Sequence, residues 1–204
     1  MRGKLRKIIT VLACAAVAGA WRPIVPQTAP TALAIAAGSR LWFDGKSTVR
    51  DWSCSAPVIE AVVEAADREA ATAVLRGEKA VTRTTLTVPT MQLDCDNGTM
   101  NGHMRKALDA EQHAAITFTL DRYELAAGDT ARGTLEGTLL IKGVTKPITL
   151  PVEFQRGTDG ALRVTGTYAL KMTDWGVKPP KLMLGTLKVN EMVTVHFDLT
   201  LAPQ

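Results

Sequence analysis

Histidine and cysteine are scarce in this chain, at three each in 204 residues. Cys14, Cys54 and Cys95 form no CxxC, and His103, His113 and His196 are spread along the second half of the sequence. These spacings fit none of the common zinc motifs, so no metal is expected. Neither a GxGxxG nor a GxxxxGK[ST] run occurs, which argues against nucleotide phosphates as ligands. Ser53 and Ser55 lack the glycines of a nucleophile elbow. Asp94 and Asp96 sit just before Asn97-Gly98, where carboxylates serve turns and helix caps more simply than paired acid–base work. No catalytic residue is therefore expected. Beyond residue 20 no hydrophobic run reaches membrane-spanning length and no basic run occurs. A spanning helix and a nucleic-acid partner are both excluded on that reading.

What is present begins with an address. Residues 1–7 carry Arg2, Lys4, Arg6 and Lys7 with no acid, and residues 8–20 are apolar or small throughout. A basic start followed by an apolar stretch of this length reads as a secretory signal peptide. Ala18-Gly19-Ala20 is a small-x-small cleavage site and Ala32-Leu33-Ala34 is a second, with cleavage allowed for as late as residue 36. There is no twin-arginine pair, so export of an unfolded chain by a bacterial Sec-type route to the periplasm or the medium is expected. Residues 21–39, with three prolines, read as a linker, and residues 40–204 as one domain without repeats or low-complexity segments. Removing the signal takes four basic residues from 24 and no acid from 20, which leaves the mature chain with no net charge. Cys14 leaves with the signal. In an oxidising compartment the two cysteines that remain, Cys54 and Cys95, are most simply joined in a disulfide, with two separate buried thiols as the alternative.

The domain is dominated by period-two alternation. Residues 133–154, GTLEGTLLIKGVTKPITLPVEF, contain two alternating runs separated by a Gly/Pro break at 143–147. This predicts an antiparallel hairpin with one dry face. Residues 41–56 predict two strands around Asp44-Gly45, 59–66 a third that also suits a helix, and 80–89 a fourth. Residues 69–75 are helix-like, and Met100, Met104 and Leu108 at helical spacing predict a short amphipathic helix. From residue 114 the chain alternates almost continuously. Strands with one apolar face and little helix to cover them must bury those faces against one another, so an all-β, closed or nearly closed antiparallel barrel with short helices is expected. Alternation places Phe118, Leu120, Leu139, Ile141, Leu150, Val164, Tyr168, Leu170, Val195 and Phe197 on the inner surface. A loop over 173–187, rich in Gly, Pro and Met, predicts a lid with Trp175 and Met183 near a mouth.

Several of these stretches resemble the YceI-like family in sequence and in order. They are residues 47–52 (STVRDW), 93–105 (LDCDNGTMNGHMR), Ile116-Thr117-Phe118, the 133–154 hairpin, and 172–177 (MTDWGV). The hairpin is the most specific. Lys171-Met172 stands where an arginine is usual, Trp175 where a phenylalanine is usual, and the two cysteines are additions. The resemblance spans residues 41–201. It implies a lipocalin-like barrel of about eight strands whose elongated cavity takes an isoprenoid tail, as of a quinone or a polyprenyl lipid.

The reading that follows is an exported, non-enzymatic binding protein for a long apolar lipid, acting as a monomer or homodimer. It would need no cofactor beyond a bound isoprenoid. Flexible, polarisable methionines such as Met91, Met100, Met104, Met172 and Met183 suit such a ligand. Inward apolar faces look alike whether they pack together or line a void. An enzyme acting on a lipid in the same barrel, and a structural barrel with a filled core, are therefore the competing expectations.

Overall fold

The alternating segments form strands and close on themselves. A computed structural model describes residues 31–67, 69–182 and 186–203. Along the chain run β1 (Thr31–Ile35), β2 (Arg40–Ser47), β3 (Asp51–Ser55), β4 (Glu60–Ala65) and α1 (Ala70–Leu75). These are followed by β5 (Val81–Pro89), α2 (Gly98–Leu108), β6 (Ala115–Leu125), β7 (Thr130–Ile141) and β8 (Val144–Arg156). The last are β9 (Leu162–Lys171), the two-residue β10 (Lys181–Leu182) and the long β11 (Leu187–Pro203).

All ladders are antiparallel. The wall passes from β1 through β4, β5, β6, β7, β8 and β9 to β11, and β11 returns to β1 at Leu33–Pro203 and Ile35–Leu201. On the same edge of β11, β2 takes over from Arg40–Asp198 to Ser47–Val189, with β3 outside it. The pairs β1/β2 and β3/β4 thus act as two long bent strands, and the barrel has eight staves. The first bend, at residues 36–39, is held by Ser39, whose hydroxyl donates to the Ala36 carbonyl (2.8 Å) and accepts from the Thr200 N–H (3.0 Å).

Three local readings change. Asp44-Gly45 lies inside β2, not in a turn. Gly45 is needed there because a Cβ would come within 2.1 Å of the Trp52 ring folded over it. The turn falls at residues 47–50, where the Ser47 hydroxyl accepts from the N–H groups of Val49 (3.3 Å) and Arg50 (3.1 Å). Next, the central hairpin turns at Lys142-Gly143 alone, both with positive φ (48° and 74°), the geometry of a tight two-residue turn. Pro147 is part of β8. It and Pro151 lack an N–H, and the β8–β9 ladder runs only from Val152–Gly166 to Arg156–Leu162. Lastly, β1 occupies the end of the stretch expected to be a linker. Its prolines mark residues 23–30, but Leu33 alternates inward and is 3% exposed.

One end of the barrel is stoppered by α1, whose Ala70, Ala71, Ala73, Val74 and Leu75 are buried against Val63, Leu162 and Phe154. Small residues let this short helix enter the mouth. At the tip of β6 and β7, Gly133 faces the backbone: a Cβ would lie 1.8 Å from the Glu124 carbonyl oxygen. No rotamer relieves that clash. Gly133→Ala is expected to cost about 2–3 kcal/mol, at the upper end of overpacking penalties, read as a lowered urea midpoint. An unchanged midpoint would mean the two strands separate freely there.

The outer wall carries ion pairs, of which Arg163–Asp198 is bidentate, at 2.7 Å for each bond. The Arg163 guanidinium holds the Asp198 carboxyl below the usual carboxylate range. A depressed folded pKa gives stability that is complete above the unfolded value of about 3.9 and lost as pH falls through the folded one. Arg163 is half exposed, so Asp198→Asn should cost about 1 kcal/mol at neutral pH. The variant and the parent should converge in strong acid. A gap that persists there would assign the loss to packing instead.

Candidate functional site

The interior between the end clusters is not filled. A cavity of about 420 Å³ runs inside the barrel, walled almost wholly by apolar side chains. Cross-strand register explains its surface, because partners in a ladder point the same way. Phe118 pairs with Leu139, and Val195 with Tyr168 on one side and Phe43 on the other. Phe197 pairs with Gly166, where a Cβ would come within 2.3 Å of its ring, so the glycine makes room for the phenylalanine.

Of the twelve residues expected at the cavity, eleven line it: Phe118, Leu120, Leu139, Ile141, Leu150, Val164, Tyr168, Leu170, Trp175, Val195 and Phe197. Met183 lies outside the described residues. Trp175 is deeper than expected. It is 3% exposed, its indole N–H donates to the Leu139 carbonyl (3.0 Å), and the Lys146 ammonium lies 5.8 Å from the ring centroid. It packs with Ile148, Leu170 and Val177 beside the unladdered part of β8. Burial raises the pKa of the Tyr168 hydroxyl, with a smaller contribution from Asp174, so the cavity holds a neutral phenol there.

The N-terminal half of the lining was not anticipated. Leu41 and Phe43 of β2, Trp52 of β3, and Leu86 and Val88 of β5 all reach the cavity. Their signal was available, since 41/43 and 84/86/88 alternate, but threonine-rich and charged neighbours weaken it.

Between β3 and β5 the strand wall gives way to a helix. The β4–β5 ladder ends at Glu60–Thr87, and Ser55 of β3 bridges instead to Asp94 in the segment leading into α2. There the Cys54–Cys95 disulfide (Cα–Cα 3.9 Å) fastens that segment to β3. Both cysteines line the cavity. The helix starts at Asn97, whose side-chain oxygen accepts from the Met100 N–H (3.0 Å), and ends at Asp109 in the left-handed region. Its Met100, His103, Met104, Ala107 and Leu108 face the cavity, as the helical spacing requires. Met172 also lines it. Met91 is 47% exposed and takes no part.

The polar candidates have structural duties. Asp94 accepts from the Asn101 side-chain amide (2.7 Å) and the Asp96 N–H (3.0 Å), and the amide chiefly lowers its pKa. The helix cap is Asn97, not either aspartate. His196 stacks on Trp42 outside the barrel and lies 3.0 Å from Asp44. His113 lies under the β7–β8 turn, against Gly143. Among the described residues, no three His, Cys, Asp or Glu side chains converge as a metal site would require.

Comparison with known proteins agrees with this geometry. The model of the YceI-like domain family matches residues 36–201. No curated protein sequence matches the chain. Among solved structures, a polyisoprenoid-binding domain from Saccharophagus degradans, implicated in plant cell wall breakdown, superposes with a TM-score of 0.65 at 18% identity. It covers 85% of this chain and 98% of its own. Burkholderia cenocepacia BcnA gives 0.61 at 18% identity, covering 79% and 95%. The Campylobacter jejuni YceI protein gives 0.56 at 20%, covering 74% and 84%. At these identities the likeness is one of fold.

Proposed function

Since this chain belongs to the YceI-like family, we propose that it is an exported, non-enzymatic carrier that holds a long apolar lipid, such as a polyisoprenoid or an isoprenoid quinone, in its barrel. The observation that carries the reading is the cavity itself, about 420 Å³ with almost no polar lining. Its size falls within the usual range for small-molecule sites. Burying several hundred Å² of tail at about 25 cal/mol per Å² supplies several kcal/mol without any specific polar contact. The Saccharophagus relative, described as a polyisoprenoid-binding domain, supports the choice of ligand. Among the described residues lining the void, no hydroxyl is hydrogen-bonded to a histidine or carboxylate as a base-activated nucleophile would be.

Export is supported by the N-terminal pattern and by the disulfide. The place of β1 in the barrel favours cleavage after Ala20 over the later site: cutting after Ala34 would remove most of a strand that pairs with both β4 and β11. Native mass spectrometry of protein from its own host, with extraction of the bound lipid, tests the carrier reading. A bound isoprenoid species on a chain starting near Trp21 is expected. A ligand-free protein that takes up no isoprenoid from detergent micelles would end it.

A further inference from the structure

We propose that the rim of the cavity around the β2–β3 turn is a docking surface for an anionic phospholipid bilayer. In this arrangement Val49 enters the interface and Lys46, Arg50, Lys178 and Lys188 face the headgroups. The inference builds on the carrier reading, because an apolar ligand has almost no aqueous concentration and must be collected where it resides.

Three observations place the surface. First, the turn is continuous with the cavity, since Ser47, Val49 and Arg50 line it together with Pro180, Leu187 and Val189. Second, Val49 is 67% exposed, the largest exposure among the large hydrophobic residues described. It is held out by a braced turn. Ser47 caps the turn from within, the Thr48 hydroxyl donates to the Thr186 carbonyl (3.0 Å), and it accepts from the Lys188 N–H (3.1 Å). An exposed apolar tip on a rigid loop beside an apolar cavity is a membrane-insertion geometry.

Third, the rim carries cations that have no carboxylate partner. On the barrel wall Arg40, Arg83, Arg122, Arg132 and Arg163 each meet a carboxylate. Among the described residues, Lys46, Arg50, Lys178 and Lys188 meet none; neither do Lys79, Arg105, Lys106, Lys142, Lys146 and Arg156 elsewhere, but the first four lie on the segments that bring Ser47, Val49, Pro180 and Val189 to the cavity mouth. The Arg50 guanidinium donates to the Met100 sulfur, at 3.7 Å. The nearest acid in register, Asp51, lies opposite Lys46 without an ion pair. Each cation held near an anionic leaflet strengthens binding about fivefold, an effect that salt weakens.

Flotation of the mature protein with phosphatidylcholine vesicles, with and without phosphatidylglycerol, tests the proposal. Binding is expected to the anionic vesicles, and at least tenfold less to neutral vesicles or at high salt. Lys46→Glu/Lys188→Glu touches no residue of the cavity. It should lower flotation more than tenfold and leave lipid capture from detergent micelles unchanged. Val49→Asp should also lower flotation. Failure of the parent to float with anionic vesicles, or full flotation of the double variant, would overturn docking. Docking without capture from either micelles or vesicles would uphold the surface and overturn the carrier.

Discussion

Leu139→Trp and Val195→Phe are expected to empty the barrel of lipid while leaving it folded. Both positions lie on the cavity surface, Leu139 opposite Phe118 near the β7–β8 turn and Val195 between Tyr168 and Phe43. A larger ring at either site projects into open space, where it gains contacts and displaces tail. Co-purified lipid should fall at least tenfold, because a blocked channel excludes everything beyond the block. Stability should hold or rise as the void fills. The Leu139 carbonyl, which accepts the Trp175 bond, is untouched by the change of side chain. Were these residues a packed core, the same substitutions would cost about 1–3 kcal/mol, a fall of roughly 2–4 °C in Tm per kcal/mol for a domain of this size. Thermal unfolding and lipid content, measured on the same samples, separate the two. Lost stability with lipid unchanged would remove these residues from any binding site.

Most of the fold was legible because alternation is a local signal. The run through Leu135, Leu139 and Ile141 and the answering Ile148, Leu150, Val152 and Phe154 state a hairpin with no outside information. Met100, Met104 and Leu108 likewise announce the helix that faces the cavity. What escaped was decided by distant partners. Gly45 looks like a turn residue, and only the indole of Trp52 lying on it explains a glycine in mid-strand. The 31–35 segment follows prolines and looks like linker, yet its place is fixed by Leu201 and Pro203, about 170 residues away along the chain. The void itself is illegible in sequence. An inward apolar residue reads the same whether it packs or lines a void, and the shape enclosed by eight staves depends on how the barrel closes, not on any one residue. Trp175 shows the same limit. Its loop context points to a lid, and its burial comes from Ile148, Leu170 and Val177 packed around it and from the indole bond to the Leu139 carbonyl.

The Cys54–Cys95 bond is expected to hold both the stability of the fold and the closure of its helical wall. It spans 41 residues in sequence, and a loop of that length gives about 4 kcal/mol in the chain-entropy account. Its position adds a second consequence. The loop it closes contains β4, α1 and β5, and its far end leads directly into α2. That helix has no fully buried residue and no strand ladder of its own, so its seat depends on the cavity-facing Met104 and Leu108 and on this tether. Cys54→Ala/Cys95→Ala should lower the urea-derived stability by about 3–4 kcal/mol and the Tm by roughly 10 °C. Hydrogen exchange over residues 98–108 should quicken far more than over β7 or β8. Bound lipid should exchange faster with vesicles, because the loosened helix covers the gap between β3 and β5. A stability loss below about 1 kcal/mol, with α2 protected as before, would show that the helix is seated by its own apolar face and that the bond only staples the unfolded chain.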